Sequence, residues 1–180
     1  MAANYPDRVD NLILMSALTK KWFVGTDKVY IGAKKIFSPK MEKFTWILYR
    51  LFFKLFPKLM TKTMFKALSK FRPIEYTNDE FNELKEMTFN FRSYEGFDND
   101  LDQTIDQQIL TQIKCSTLIL HSNYDNQVDI SHPENAKSKI KNSRLVTFNN
   151  HWGHLLWLGT DYNQPLIELK KQLNENKTCL

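Results

Sequence analysis

Apolar residues cluster along this chain in two distinct ways, as short unbroken runs and as helical stripes. Near the start, Leu12-Ile13-Leu14-Met15 is an unbroken run of the kind expected for a strand buried on both faces. A second run, Thr117-Leu118-Ile119-Leu120, has no helical period and is short enough for another buried strand. It stops in Ser122-Asn123-Tyr124-Asp125-Asn126, a cluster of turn formers that puts Asp125 on the loop beyond the strand's carboxyl end. Ser131 then predicts an N-cap, with Pro133 and Glu134 in the first turn and Ala136, Lys137 and Ile140 continuing a short helix that ends at Lys141-Asn142-Ser143. Arg144-Leu145-Val146-Thr147-Phe148 reads as the next strand, followed by the loop Asn149-Asn150-His151-Trp152-Gly153-His154. A right-handed crossover makes these two strands parallel and brings both loops to one carboxyl edge, where open α/β sheets keep their sites. The class is α/β.

Between these runs the apolar period changes to that of helices. Over Lys40 to Phe71, Ser38 and Pro39 suit a helix start, and Phe44, Ile47, Leu48, Leu51, Phe52 and Leu55 recur at helical spacing. Pro57 breaks or restarts the helix, and Leu59, Met60, Met64, Phe65 and Leu68 carry a second stripe. A third helix is expected from Thr77 or Asn78, with Asp79, Glu80 and Glu83 at its positive end and Phe81, Leu84 and Met87 on its buried side. A last one is expected around Asp98 to Leu110. No internal repeat or low-complexity linker divides the section.

Charge changes this picture more than composition does. From Lys20 to Arg72 there are 14 Lys or Arg against Asp27 and Glu42, whereas Glu75 to Asp106 holds 10 acids against Lys85 and Arg92. The formal net charge of +5 thus hides two opposed blocks, which mutual neutralisation between neighbouring helices would explain. The competing explanation is a lipid surface. Arg50, Lys54, Lys58, Lys62, Lys66 and Lys70 recur every fourth residue among Trp46, Phe52, Phe53, Phe56 and Phe65, the composition of an interfacial basic helix. Arg50, Lys54 and Pro57 rule out a simple transmembrane span. No nucleic-acid motif accompanies the basic residues, so nucleic acid is not expected as a partner.

At 180 residues and 42% hydrophobic content the chain fits one domain of ordinary size. Cys115 and Cys179 lie far apart with no Cys-x-x-Cys, so neither a disulfide framework nor a zinc site is expected, and a cytoplasmic location follows. No signal peptide is expected, because Tyr5-Pro6-Asp7-Arg8 interrupts the apolar start. Asp98, Asp100 and Asp102 begin like a calcium loop, but Gln103 takes the required Gly place and Ile109 the bidentate Glu place. His151 and His154 lack the spacing that would join His121 or His132 on a metal, so no metal and no cofactor is expected.

The order of apolar strand, loop Asp125, short helix, strand and Gly153-His154 resembles the end of the α/β-hydrolase fold. The resemblance implies that Asp125 is the acid and His154 the base of a Ser-His-Asp triad, and their order in the chain agrees. A carboxylate holds an imidazole in one tautomer, and the imidazole takes a proton from a nucleophile. The family usually has Gly where Ser122 stands and often Pro where Asp129 stands. The start, Met1 through Tyr5-Pro6-Asp7-Arg8-Val9 to Ala17, looks like the end of the helix after the family's nucleophile and the next strand. The implied architecture is a partial α/β-hydrolase fold with an inserted all-helical cap: a core fragment over 1–18, the cap over 19–111, and a C-terminal core segment over 112–180.

The nucleophile elbow, G-x-S-x-G, is absent, since no two of Gly25, Gly32, Gly96, Gly153 and Gly159 are four apart. The expectation is a truncated form that carries an acid and a base without their serine and is inactive alone. Ser16, at the end of the first apolar run, sits in no tight glycine turn and reads as a strand-end residue rather than a substitute nucleophile. Two functions follow. One is hydrolysis, in the parent protein, of an ester, thioester, lactone or similar acyl bond of an apolar small molecule, with the missing N-terminal half of the sheet as partner. The other is a non-catalytic binding module, or a membrane-surface protein that uses the basic aromatic helices. On either, the strand at Leu12 to Met15 is expected to have an unpaired apolar edge.

Overall fold

The structure, a computed structural model, describes residues 1–22, 28–103 and 106–175. In chain order its regular elements are strand β1 (Asn11–Met15), helices α1 (Lys28–Ile36), α2 (Glu42–Leu55), α3 (Pro57–Leu68), α4 (Asn78–Asn90) and α5 (Gly96–Asp102), strand β2 (Ser116–Ser122), helix α6 (Ser131–Lys139), strand β3 (Ser143–Phe148) and helix α7 (Asn163–Glu175). They fall into two units, one of Met1–Lys20, Phe65–Glu75 and Ile105–Leu180 and the other of Lys21–Met64 and Tyr76–Thr104.

The first unit is built on a parallel sheet in the order β1-β2-β3. Leu12 lies beside Thr117 and Met15 beside Leu120, while Leu118 lies beside Arg144 and Leu120 beside Val146. Side chains alternate across a strand, so β2 feeds two cores. Ile119 joins Ala2, Leu110, Ile113, Ala136 and Ile140 on one face, and Leu118 and Leu120 join Phe148 and Leu156 on the other. Full burial of each of the Leu, Ile and Phe side chains among them contributes about 1.5–3 kcal/mol. β2 is buried from Thr117 to Ser122 as expected of a central strand. β1 differs from the expectation of burial on both faces: all five residues are only half-buried, because among the described residues β1 pairs with β2 alone.

Helix α6 starts where predicted but is capped differently. Ile130 occupies the N-cap with no side-chain bond, Ser131 is the first helical residue, and the Asp129 carboxylate accepts the Ser131 N–H at 3.0 Å. Buried His132 fastens the stretch after β1 to this helix, since its Nδ1 accepts the Thr19 N–H at 3.1 Å and its carbonyl accepts the Thr19 hydroxyl at 2.6 Å. Residues 65–75 also cluster with the sheet, although their helical stripe had read as part of the cap. They do so because their backbone bonds to both loops at the sheet's carboxyl edge.

The second unit is helical. Pro57 divides α2 from α3 as the sequence implied, and α4 begins with a capping box in which Thr77 Oγ1 accepts the Glu80 N–H at 3.2 Å and Glu80 accepts the Thr77 N–H at 2.7 Å. The helix expected over Asp98 to Leu110 is instead α5 and a separate 3₁₀ turn, Gln107–Gln112. α1 had no clear sequence signal. It is held by Tyr30, which donates to Asp102 at 2.7 Å, and by Lys34, which pairs with Asp98 and Asp102. On α2, Phe53 is buried against Phe81 and Phe89, and buried Glu42 receives Arg92 at 2.7 Å and the Tyr94 N–H at 3.1 Å. The Arg92 bond, aided by Tyr94 N–H, holds the Glu42 carboxyl below its usual range against the opposing effect of burial. No helix among the described residues is long and apolar enough to cross a membrane.

Candidate active site

Two loops leave the carboxyl edge of the sheet, one after β2 and one after β3, and a parallel pair necessarily puts them side by side. After β2 the chain turns at once: Ser122 Oγ accepts the Tyr124 N–H at 3.1 Å and the Ser122 carbonyl accepts the Asp125 N–H at 3.1 Å. Asp125 is buried, and its Oδ1 accepts the N–H groups of Gln127 at 2.7 Å and Val128 at 2.9 Å. This Asx turn fixes the carboxylate and leaves Oδ2 facing the other loop. Burial pushes the carboxyl up, but the His154 bond and the two backbone N–H groups outweigh it and bring it below the usual range. Asp125 is therefore an anion at neutral pH.

The loop after β3 bends through Gly153, whose φ of +56° lies in the left-handed region. Asn150 closes the bend: its side-chain amide donates to the Gly153 carbonyl at 3.1 Å and its carbonyl accepts the Gly153 N–H at 3.1 Å. The bend delivers His154 Nδ1 to 2.9 Å from Asp125 Oδ2. A carboxylate at Nδ1 puts the proton there, which leaves Nε2 as the free base. The His154 side chain is 26% exposed, so that nitrogen is part-open to solvent. Among the described residues no side chain bonds to Nε2.

What holds the two loops in register has no signature in the residue pattern. It is the end of α3. The Leu68 carbonyl accepts N–H groups from both loops, Asn126 at 3.2 Å and His154 at 3.0 Å, and Lys70 N–H donates to the Tyr124 carbonyl at 2.8 Å. Gln127 and Asn126 add side-chain bonds to the Ala67 and Lys66 carbonyls. Backbone acceptors carry no residue preference, so only the topology reveals them.

Neighbouring candidates take other parts. Ser16, with φ of +45°, donates its hydroxyl to the His154 carbonyl at 3.1 Å, and so bonds to that residue's backbone rather than its ring. His121 lies buried with Nδ1 4.0 Å from Asp125 Oδ2, and burial lowers its pKa, so it is neutral beside the carboxylate at pH 7. His151 pairs with Asp161, Nδ1 to Oδ2 at 2.6 Å, and stacks on Phe65, while Trp152 is fully buried against the same ring. Among the described residues no group of three or more His, Cys, Asp or Glu could hold a metal ion. Cys179 lies outside the described residues.

A parallel sheet flanked by helices, with two loops side by side at its carboxyl edge, is the architecture of the α/β-hydrolase fold. Solved structures agree. The chain superposes on an α/β-hydrolase fold protein from Nakamurella multipartita with a TM-score of 0.68 at 23% identity, covering 96% of this chain and 63% of that one. It superposes on an esterase from Exiguobacterium antarcticum with a TM-score of 0.60 at 18% identity, covering 93% and 60%. In sequence it is 37% identical over 170 residues to the uncharacterized hydrolase YcgS of Bacillus subtilis, covering 89% of this chain and 58% of that protein. No family model matches the chain. The fold is thus that of the α/β-hydrolases, as the order of loops implied, and the chain spans a little under two thirds of the relatives it matches.

Proposed function

We propose that this chain supplies the acid and the base of a Ser-His-Asp hydrolase acting on an ester, thioester, lactone or similar acyl bond. The observation that carries the reading is the 2.9 Å bond between His154 Nδ1 and buried, ionised Asp125, with Nε2 left free. The serine comes from residues outside these 180, since no G-x-S-x-G occurs in them and each relative is substantially longer. In this mechanism the serine oxygen attacks the acyl carbon while His154 Nε2 takes the hydroxyl proton. The same nitrogen then gives that proton to the leaving group. Water repeats the sequence to release the acid, and Asp125 orients and stabilises the imidazolium throughout. The likeness to a hydrolase and to an esterase fold supports the reaction class.

The test is to express the chain joined to the segment encoded upstream of it and to follow hydrolysis of a short p-nitrophenyl ester. Turnover is expected in the longer form only, and His154→Ala in that form should lower kcat by on the order of 10⁴-fold or more. Turnover unchanged by His154→Ala would overturn the assignment.

A further inference from the structure

The apolar stripe of α2 does not lie where a globular helix normally puts it. At about 100° per residue, Glu42, Trp46, Tyr49 and Phe53 share one face, and Glu42 and Phe53 are buried there. The opposite face carries Phe44, Ile47, Leu51 and Leu55, with Phe52 on its flank, each 47–60% exposed. Phe56, stacked on Phe52, and Leu59 at the start of α3 extend the row at 51% and 62% exposure. The helix is amphipathic with its larger apolar side outward. A contiguous apolar face of this kind marks an interaction surface.

The charges beside it identify the partner. Lys43 and Lys54 fall on one edge of the stripe, and Lys58 and Lys62 follow on α3; all four are exposed. The acidic block in the same unit does not neutralise them. Its ion pairs are Lys34 with Asp98 and Asp102, and Arg92 with Glu42, and among the described residues none engages these four lysines. Lys54 only leans over the Phe89 ring, at 5.5 Å. A second copy of the chain fits poorly, because a two-fold interface would set the same lysines against each other. An anionic bilayer fits both features: acyl chains receive the aromatic and aliphatic row, and lipid phosphates receive the lysines.

We infer that α2 and the start of α3 form a monotopic docking face for an anionic phospholipid surface, lying in the interface rather than crossing it. The inference does not depend on the hydrolase reading, since binding needs no turnover. It is tested by co-sedimentation of the 180-residue chain, and of the longer form joined to its upstream segment, with phosphatidylcholine vesicles and with vesicles of phosphatidylcholine mixed with phosphatidylglycerol. Binding by the short form alone would show that the upstream segment covers this face and would overturn the inference. At about fivefold per cation, the four lysines should make the mixed vesicles bind roughly several hundredfold more tightly at low salt, and added salt should erase the preference. Ile47→Glu together with Leu51→Glu, both at exposed positions, should reduce binding to the mixed vesicles by at least about tenfold. Lys54→Glu together with Lys58→Glu should remove the preference for anionic lipid, which keeps the test decisive even where the first pair disturbs folding. Absence of binding, equal binding to both lipids, or binding untouched by either pair would overturn the inference. So would a dimer that the Ile47→Glu and Leu51→Glu pair dissociates.

Discussion

A Cβ built on Gly153 would stand 2.6 Å from the Tyr124 carbonyl oxygen, 2.7 Å from that of Leu68 and 2.9 Å from Ser69 Cα. All three are backbone atoms, which cannot swing aside as a flexible side chain would. The left-handed φ adds a penalty for any residue with a Cβ. Gly153→Ala should therefore destabilise the chain by at least about 2 kcal/mol, read as a lower urea midpoint, and should pull His154 away from Asp125. Gly32, in α1, makes the control: nothing lies within 4 Å of its Cβ position. Gly32→Ala should be neutral or stabilising by up to about 1 kcal/mol, through better helix propensity. Equal effects at the two positions would show that the loop can relax around a methyl group.

Among the elements, β1 has the plainest physical consequence. Among the described residues no strand pairs with its outer edge, and an apolar, half-buried edge strand is a template for pairing with another chain. The 180-residue chain is expected to self-associate with rising concentration, as sedimentation velocity would show. A monomer that unfolds in one sharp transition would mean that the edge is protected. This association should be indifferent to Ile47→Glu and Leu51→Glu, which separates it from the α2 face. β1 also marks the limit of what the sequence made legible. Leu12 to Met15 announces a strand but says nothing about whether both neighbours are present. Asp125 and its turn were readable because Ser, Asn and Asp bond locally to their own backbone, and that chemistry is written in residue types. The end of α3 was not readable, because its bonds are long-range and backbone to backbone. α1 was hidden by Gly32 and a lysine-rich composition, and its partners, Asp98 and Asp102, lie far along the chain.

At the scale of the molecule, buried His121, His132 and Asp125 push stability in one direction with pH. Burial lowers the pKa of His121 and His132, with Lys20 adding to the effect at His132. Both stay neutral when folded, whereas an unfolded histidine takes up a proton near pH 6.5. Their contribution is therefore complete above about pH 6.5 and declines as pH falls below it, by up to about 1.4 kcal/mol per pH unit for each histidine. Asp125, with its carboxyl below the usual range, adds stability that is present above the ordinary Asp range near pH 4 and is lost as acid protonates the folded form. Urea midpoints should fall between pH 7 and pH 5, and His121→Leu should flatten that slope by up to one proton; an unchanged slope would remove His121 from the account. The joint between the loops responds to mutation very differently. One oxygen, the Leu68 carbonyl, receives an N–H from each of two loops that carry the acid and the base. Exchanging the Leu68 side chain leaves that oxygen in the chain, so the spacing of Asp125 and His154 is insulated from most point substitutions at this joint. Its vulnerability lies in length: a one-residue insertion or deletion between Phe65 and Lys70 would offer the two loops a different carbonyl and reset both at once.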